Sequence, residues 1–198
     1  MVDLLLLAED DAQEKFVGTL IRRIAQEKGV PLEIRVRSSR TGYGGVLLEL
    51  QALAKACASG KEIVPDLVVV AVDANCKGPN ERRGEVEARA GDTLRDRLVS
   101  AIADPHVERW FLLDGAAFNT VLGRGCQAPD QKCEKDRYKG LLIQAVLDAG
   151  IEPLLGGIEY AEDLAYAMDL RRAAGSDAAF ARFIAALGGK LGQMQRSA

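Results

Sequence analysis

The chain opens with a short apolar run that ends in acidic residues. Residues 4–8 are continuously apolar and three acids follow, beginning with Glu9, which is typical of a buried strand that leads into a helix. Apolar residues then recur at helical spacing over residues 16–24, with Asp11 as the expected N-cap and Gly29 as the helix end. The pattern predicts one β-α unit.

Three later segments have the pattern of strands, but with different burial. Residues 32–37 alternate apolar with charged side chains, as a half-exposed strand at a sheet edge does. Residues 67–72 are an unbroken apolar run rich in valine, which is typical of a central strand in a parallel sheet. The run at residues 98–103 could end the preceding helix or form a further strand, and a strand is favoured because Asp104-Pro105 stops the run sharply.

The remaining pattern predicts loops and helices. Glycine-rich, proline-containing or polar stretches separate segments of helical spacing. A Gly-rich loop is expected at residues 40–45 and a long polar loop at 123–136, with helices through residue 58, within 76–91, after Pro105, and over 138–149, 160–173 and 177–191.

These elements predict an α/β fold in which helices flank a mostly parallel, Rossmann-like sheet. The α/β core should occupy residues 1–125. Residues 126–198 should form a helical extension packed on that core, so that the 198 residues make one domain overall.

Composition restricts the function and the location. The chain has 26 Lys and Arg against 29 Asp and Glu, a formal charge of -3, so nucleic-acid binding would need a local basic patch or a metal ion. The sequence shows no cationic leader and no run near 20 apolar residues, which predicts a cytoplasmic protein without a membrane span. Reduced thiols are expected at the cysteines, which lack zinc-site spacing: Cys57, Cys76, Cys126 and Cys133.

Carboxylates follow the two strands predicted to be most buried. Glu9 ends the first and Asp73 ends the strand at residues 67–72, and the carboxyl ends of parallel strands meet at one side of a sheet, where ligands bind. Clustered acids repel unless a proton or cation relieves them, and Mg²⁺ or Mn²⁺ is the natural partner. The alternative is that these acids are helix caps and solvated turn residues.

The order of these features resembles a known fold. A strand ending in Glu9, a helix carrying Glu14 and Phe16, a Gly-rich turn and a strand ending in Asp73-Ala74-Asn75 are similar to the Toprim fold of topoisomerases, primases and the overcoming-lysogenization-defect nucleases. A closer resemblance is to small bacterial Toprim-like proteins of uncharacterised function. Their acid-x-Trp motif with a later acid is matched by Pro105, Glu108, Trp110 and Asp114.

The resemblance implies roles for individual residues. Glu9 would be a general acid or base or a metal ligand, and Asp73 would be the first acid of the family's Asp-x-Asp metal motif. Asn75 departs from that motif, because an amide oxygen can still ligate Mg²⁺ but carries no charge. Glu108 and Asp114 are auxiliary acids that would compensate. Glu14 is a further auxiliary candidate, although its place in the first helical turn also suits the helix dipole.

Other polar and aromatic residues have competing explanations. Trp110, the only tryptophan, is expected in the core. His106, the only histidine, follows Pro105 and is expected at the surface or in a cap. Four cations flank the acids and would steer a nucleic-acid backbone toward a metal, or are ordinary solvated charge: Arg82, Arg83, Lys135 and Lys139.

Three functions follow from this sequence. The first is a metal-dependent, phosphodiester-cleaving Toprim-like nuclease with a role in phage defence. The second is a catalytically degenerate subunit that works with a separate ATPase, because the Gly-rich loop lacks the Lys-Ser/Thr ending of a P-loop. The third is a nucleotide- or small-molecule-binding α/β domain.

Overall fold

The computed structural model describes residues 1–39 and 41–197 and contains a four-stranded, all-parallel sheet. The strand order is β2-β1-β3-β4, so the two most apolar strands lie in the centre. The predicted α/β class and the four predicted strands are confirmed. The strands are β1 (Val2–Ala8), β2 (Leu32–Ser38), β3 (Leu67–Asp73) and β4 (Leu98–Ala103).

Nine α-helices connect and cover the strands in the described residues. They are α1 (Asp11–Glu27), α2 (Gly42–Ala58), α3 (Pro79–Arg95), α4 (Val107–Phe111), α5 (Gly115–Leu122), α6 (Arg137–Asp148), α7 (Ala161–Ala167), α8 (Leu170–Ser176) and α9 (Ala178–Ser197). Short 3-10 turns cover Asn75–Lys77 and Ile158–Tyr160. Arg40, expected to begin the Gly-rich loop, lies outside the described residues.

Several details of the helices differ from the sequence prediction. Residues 42–45, expected in the Gly-rich loop, form the first turn of α2. Asp10, not Asp11, caps α1, because its side chain accepts the Gln13 backbone N–H at 3.0 Å. The helix expected over residues 160–173 is two helices: the backbone is extended at Met168, and Asp169 then caps α8 by accepting two backbone N–H groups. The local capping side chains therefore set these boundaries.

The continuous apolar runs are explained by burial on both faces of the sheet. In β1, Leu4 and Leu6 enter a core formed with α1, α4 and the C-terminal helices. Leu5 and Leu7 enter a second core formed with α2 and α3. Alternate side chains of one strand point to opposite faces, so a doubly covered strand has no polar positions. By contrast, β2 lies at the sheet edge and is half-exposed, as expected.

The helices after residue 126 pack onto one face of the sheet. α7 lies against α1, and α9 lies against β4 and α1. Trp110 is fully buried in this layer, with its ring stacked on Phe183 and edge-on to Phe180, so its predicted core position is confirmed. Among the described helices, none has the length and apolar content needed to cross a bilayer.

Candidate metal centre

Glu9 and Asp73 meet at the carboxyl ends of β1 and β3. The Asp73 backbone N–H donates to Glu9 Oε2 at 3.0 Å. The buried Gln13 amide bridges the same two residues: its Oε1 accepts the Glu9 backbone N–H at 3.0 Å, and its Nε2 donates to Asp73 Oδ1 at 2.9 Å. The pairing of β1 with β3 therefore brings together the two acids that the sequence singled out.

The connection from β4 to α4 adds an imidazole to this pair. His106 Nδ1 lies 2.8 Å from Asp73 Oδ2, and the Val107 backbone N–H donates to Asp73 Oδ1 at 3.0 Å. His106 occupies the N-cap position of α4, as expected, but its side chain makes no cap hydrogen bond. Its half-buried ring contacts the strand-end acid instead, a role that the sequence did not predict.

Glu108 completes a cluster that could hold a metal ion. Asp73, His106 and Glu108 each offer a ligand atom, and these atoms lie within 4.8 Å of one another. Glu108 is only 5% exposed, and its buried Oε2 has no hydrogen-bond partner within the described parts of the chain. A buried carboxylate oxygen without a donor is costly, and a bound cation would satisfy this atom.

The electrostatics of the cluster agree with this interpretation. Burial raises the pKa of Glu9, Asp10 and Glu108, and the nearby Asp73 charge raises each further. Hydrogen bonding to Asp73 raises the pKa of His106. Burial thus favours the protonated form of the three acids, and the hydrogen bond to Asp73 favours the charged form of His106.

A cavity of about 390 Å³, called here the metal cavity, surrounds the cluster. Asn75 lines it, but its amide Nδ2 donates to the Asp73 carbonyl at 3.5 Å, and its backbone lies in the left-handed region (φ 51°). Lys135 and Lys139 also line the cavity. Two of the four predicted nucleic-acid-binding cations are therefore beside the acids.

A disulfide forms part of the cavity wall. Cys76 and Cys133 are joined across 57 residues, and both line the metal cavity. The structure joins this pair, which differs from the expectation of reduced thiols, because the loop at residues 123–136 crosses to the segment that follows β3. Sequence spacing does not reveal such a contact. Cys57 and Cys126 remain free thiols, as expected.

A larger cleft of about 840 Å³ adjoins the metal cavity and shares Glu9, Asp10, Glu108 and Lys139 with it. Glu14 lines this cleft and accepts a hydrogen bond from the Ser38 hydroxyl. Three apolar residues, Ile143, Leu155 and Ile158, also line the cleft and are called here its apolar wall.

The turn that carries Leu155 is held in place by one carboxylate. The Glu159 side chain accepts the backbone N–H groups of Leu154, Leu155 and Gly157 at 2.7, 3.1 and 2.9 Å. Leu155 stays 58% exposed in this ordered turn. Leu155 therefore presents an exposed apolar side chain to the cleft, beside Ile143 and the partly buried Ile158.

Asp114 and two of the predicted cations lie elsewhere. Asp114 is 1% exposed, caps α5, accepts the Asp169 backbone N–H at 2.7 Å and pairs with Arg172 at 2.7 Å. Its auxiliary role at the metal site is thus replaced by a structural one. Arg82 is buried over the Tyr43 ring and pairs with Glu85, and neither it nor Arg83 lines the metal cavity.

The fold and the site define a parallel α/β protein with a candidate metal centre at the carboxyl ends of its strands. Comparisons with models of protein families, with curated proteins and with solved structures found no match for this chain. The resemblance to Toprim-like proteins therefore stays a prediction.

Proposed function

We propose that this protein is a metal-dependent enzyme that cleaves nucleic-acid phosphodiester bonds, acting in phage defence. The observation that carries the proposal is the clustering of Asp73, His106 and Glu108 beside Glu9, with a buried Glu108 oxygen that lacks a donor in the described structure. His106 and Glu108 would supply ligands in place of the second acid of the Asp-x-Asp motif, since Asn75 stands at that position.

The donor set suits Mg²⁺ or Mn²⁺, and the imidazole favours Mn²⁺ of the two, because nitrogen ligands bind Mg²⁺ poorly. Such a cation, when bound, polarises a phosphate and lowers the pKa of a ligand water. Asp73, His106 and Glu108 would hold it. Glu9, whose pKa is raised by burial, would exchange a proton with the reacting oxygens. Lys135 and Lys139 would bind the phosphate backbone.

The test pairs cation binding with cleavage in the variants Glu9→Gln and Asp73→Asn. Calorimetric titration of Mg²⁺ and Mn²⁺ should show affinity reduced about 10- to 100-fold in Asp73→Asn, and cleavage of single- and double-stranded DNA and RNA should fall at least about 100-fold in both. Glu162→Gln and Asp163→Asn on the exposed face of α7 are matched controls. Unchanged cleavage in the two site variants would contradict the proposal.

The same experiment separates the degenerate-subunit alternative. A chain that binds neither cation, cleaves none of these substrates and copurifies with an ATPase would act as a non-catalytic partner. The third alternative, a nucleotide-binding domain, is favoured by the apolar wall of the cleft, which could contact a base while the phosphates face the metal cavity. Nucleotide binding without polymer cleavage would support it.

We propose that the protein acts in the cytoplasm, where thiols are kept reduced. Cys76 and Cys133 are then expected as a dithiol in the cell and as a disulfide after aerobic purification. Acid-quenched cells treated with a maleimide reagent should therefore give two more labelled cysteines than the purified protein does. If quenched cells and purified protein give the same number of labelled cysteines, and that number fits a formed disulfide, the protein lies in an oxidising compartment.

A further inference from the structure

A second cavity, of about 310 Å³, is lined by arginines from α3 and α9 and by the start of β4. Arg83, Arg95 and Arg182 contribute cations, and Ser100 contributes a hydroxyl. None of the residues that line this arginine cavity lines the metal cavity. Any ligand here would therefore be bound independently of the metal centre.

Arg83 and Arg182 converge on a single neutral acceptor. Their Nη1 atoms lie 3.3 and 3.4 Å from Asn80 Oδ1. Across residues 1–39 and 41–197, neither guanidinium has a carboxylate within ion-pair distance, whereas Arg95 pairs with Asp92. Two guanidinium groups carry ten N–H donors, and one amide oxygen satisfies few of them.

The like charges affect each other. Burial lowers the pKa of Arg83, and the charge of Arg182 lowers it further. Glu87, on the exposed surface of α3, is the one acid that lines the cavity, and its charge acts in the opposite direction without forming an ion pair. The two cations thus repel each other at short range, in a chain whose formal charge is negative.

The edge of the sheet supplies further donors. The backbone N–H groups of Val68 in β3 and of Ala74, which follows β3, donate to the carbonyl oxygens of Arg97 and Ala103. The backbone N–H and C=O groups of the odd-numbered residues of β4 are therefore directed toward β3. In a parallel ladder the intervening residues point their N–H groups away from that partner. Because β4 is the edge strand, the N–H of Ser100 is directed to the free edge, on the strand segment that lines the cavity.

We propose that the arginine cavity binds a phosphate-type oxyanion. A guanidinium group can donate two parallel hydrogen bonds to two oxygens of one phosphate. The backbone N–H and the hydroxyl of Ser100 would each add one donor. The phosphate is either that of a small free ligand or that of a nucleic-acid backbone. This inference does not depend on the proposed function, because it involves none of the metal-cavity residues.

The test is calorimetric titration of inorganic phosphate, pyrophosphate and a short single-stranded oligonucleotide in EDTA, which keeps cations from the metal centre. Arg83→Gln/Arg182→Gln should weaken binding at least about tenfold. Arg89→Gln/Arg171→Gln, with the same change in charge on exposed arginines, should bind as the wild type does. Arg83→Lys/Arg182→Lys should bind less tightly than the wild type, because it keeps the charges but loses the forks.

The outcomes are distinct. Binding of pyrophosphate but not of the oligonucleotide identifies a small phosphate ligand, and tighter binding of the oligonucleotide identifies a nucleic-acid backbone. Equal weakening in the two Gln pairs, or no binding of any of the three probes, would overturn the proposal. If the double variant fails to fold, the single variant Arg182→Gln replaces it in the test. Arg182 is exposed, so this substitution should leave the fold intact and still weaken phosphate binding.

Discussion

Replacing Glu108 by Gln is expected to weaken divalent-cation binding at least about tenfold and, in EDTA, to raise the free energy of unfolding by about 1–3 kcal/mol at neutral pH. Both effects have one cause. The carboxylate is 5% exposed, and one of its oxygens has no partner in the described structure. The negative charge of Glu108 strengthens the binding of a cation, but without a cation it lowers the free energy of unfolding.

The pH dependence of this stability difference follows from the direction of the pKa shift. Burial raises the pKa of Glu108 above its ordinary value of 4.5 in the folded protein. The folded state therefore binds that proton more tightly than the unfolded state does. This contribution is complete below the unfolded pKa and is lost as the pH rises through the folded pKa. The advantage of Glu108→Gln should thus be greatest at neutral pH and disappear below about 4.5.

Urea unfolding of the wild type and of Glu108→Gln in EDTA, at several values of pH, measures this difference. Glu162→Gln is the matched control, because that glutamate is exposed on α7. Adding Mn²⁺ should reverse the order of stability, since the cation binds the folded wild type. A Glu108→Gln protein that is less stable than the wild type in EDTA would show that the carboxylate is satisfied by the fold itself.

Replacing Asp177 by Ala is expected to lower the free energy of unfolding by about 3–5 kcal/mol, because it leaves the Arg109 charge buried and unpaired. The side chains of Arg109 and Asp177 are 6% and 2% exposed and form an ion pair. Asp177 also accepts the Phe180 backbone N–H at 2.6 Å at the start of α9. Arg109 in turn donates to the Pro129 carbonyl at 3.3 Å.

Thermal and urea unfolding measure the cost of this change. Asp169→Ala removes an exposed cap of α8 and should cost only about 1 kcal/mol. Adding Arg109→Met to Asp177→Ala should recover part of the stability, because the unpaired charge is then gone. If Asp177→Ala costs no more than Asp169→Ala, the buried pair does not anchor α4 to α9. Because α4 carries Glu108, a loosened α4 should also reduce cation affinity.

The parts of the site that follow from strand order could be predicted from the sequence. Glu9 and Asp73 end two unbroken apolar runs, and parallel strands buried on both faces must lie side by side with their carboxyl ends together. The edge position of β2 follows from its alternating pattern, whereas the full order of the strands was not predicted, because the apolar run of β4 does not mark it as an edge strand. These predictions depend on periodicity along the chain, which the sequence contains directly.

The roles of other residues depend on contacts between distant segments. Glu108 lies two residues before Trp110 in the chain. Nothing in the sequence shows that the His106 ring turns toward Asp73. Asp114 was expected at the metal site because it is acidic and follows the motif, yet the start of α5 uses it as a cap. Cys76 and Cys133 meet only because a loop without regular structure crosses the strand ends.

Gln13 was not singled out by its sequence position, although it is 1% exposed and links both acids. Its amide and the Val107 N–H both donate to Asp73 Oδ1, which leaves Oδ2 toward His106. The carboxylate is therefore held in one rotamer by the fold. A ligand that binds Asp73 Oδ2 contacts an oxygen whose position is already fixed. Binding therefore does not include the entropic cost of fixing the Asp73 side chain.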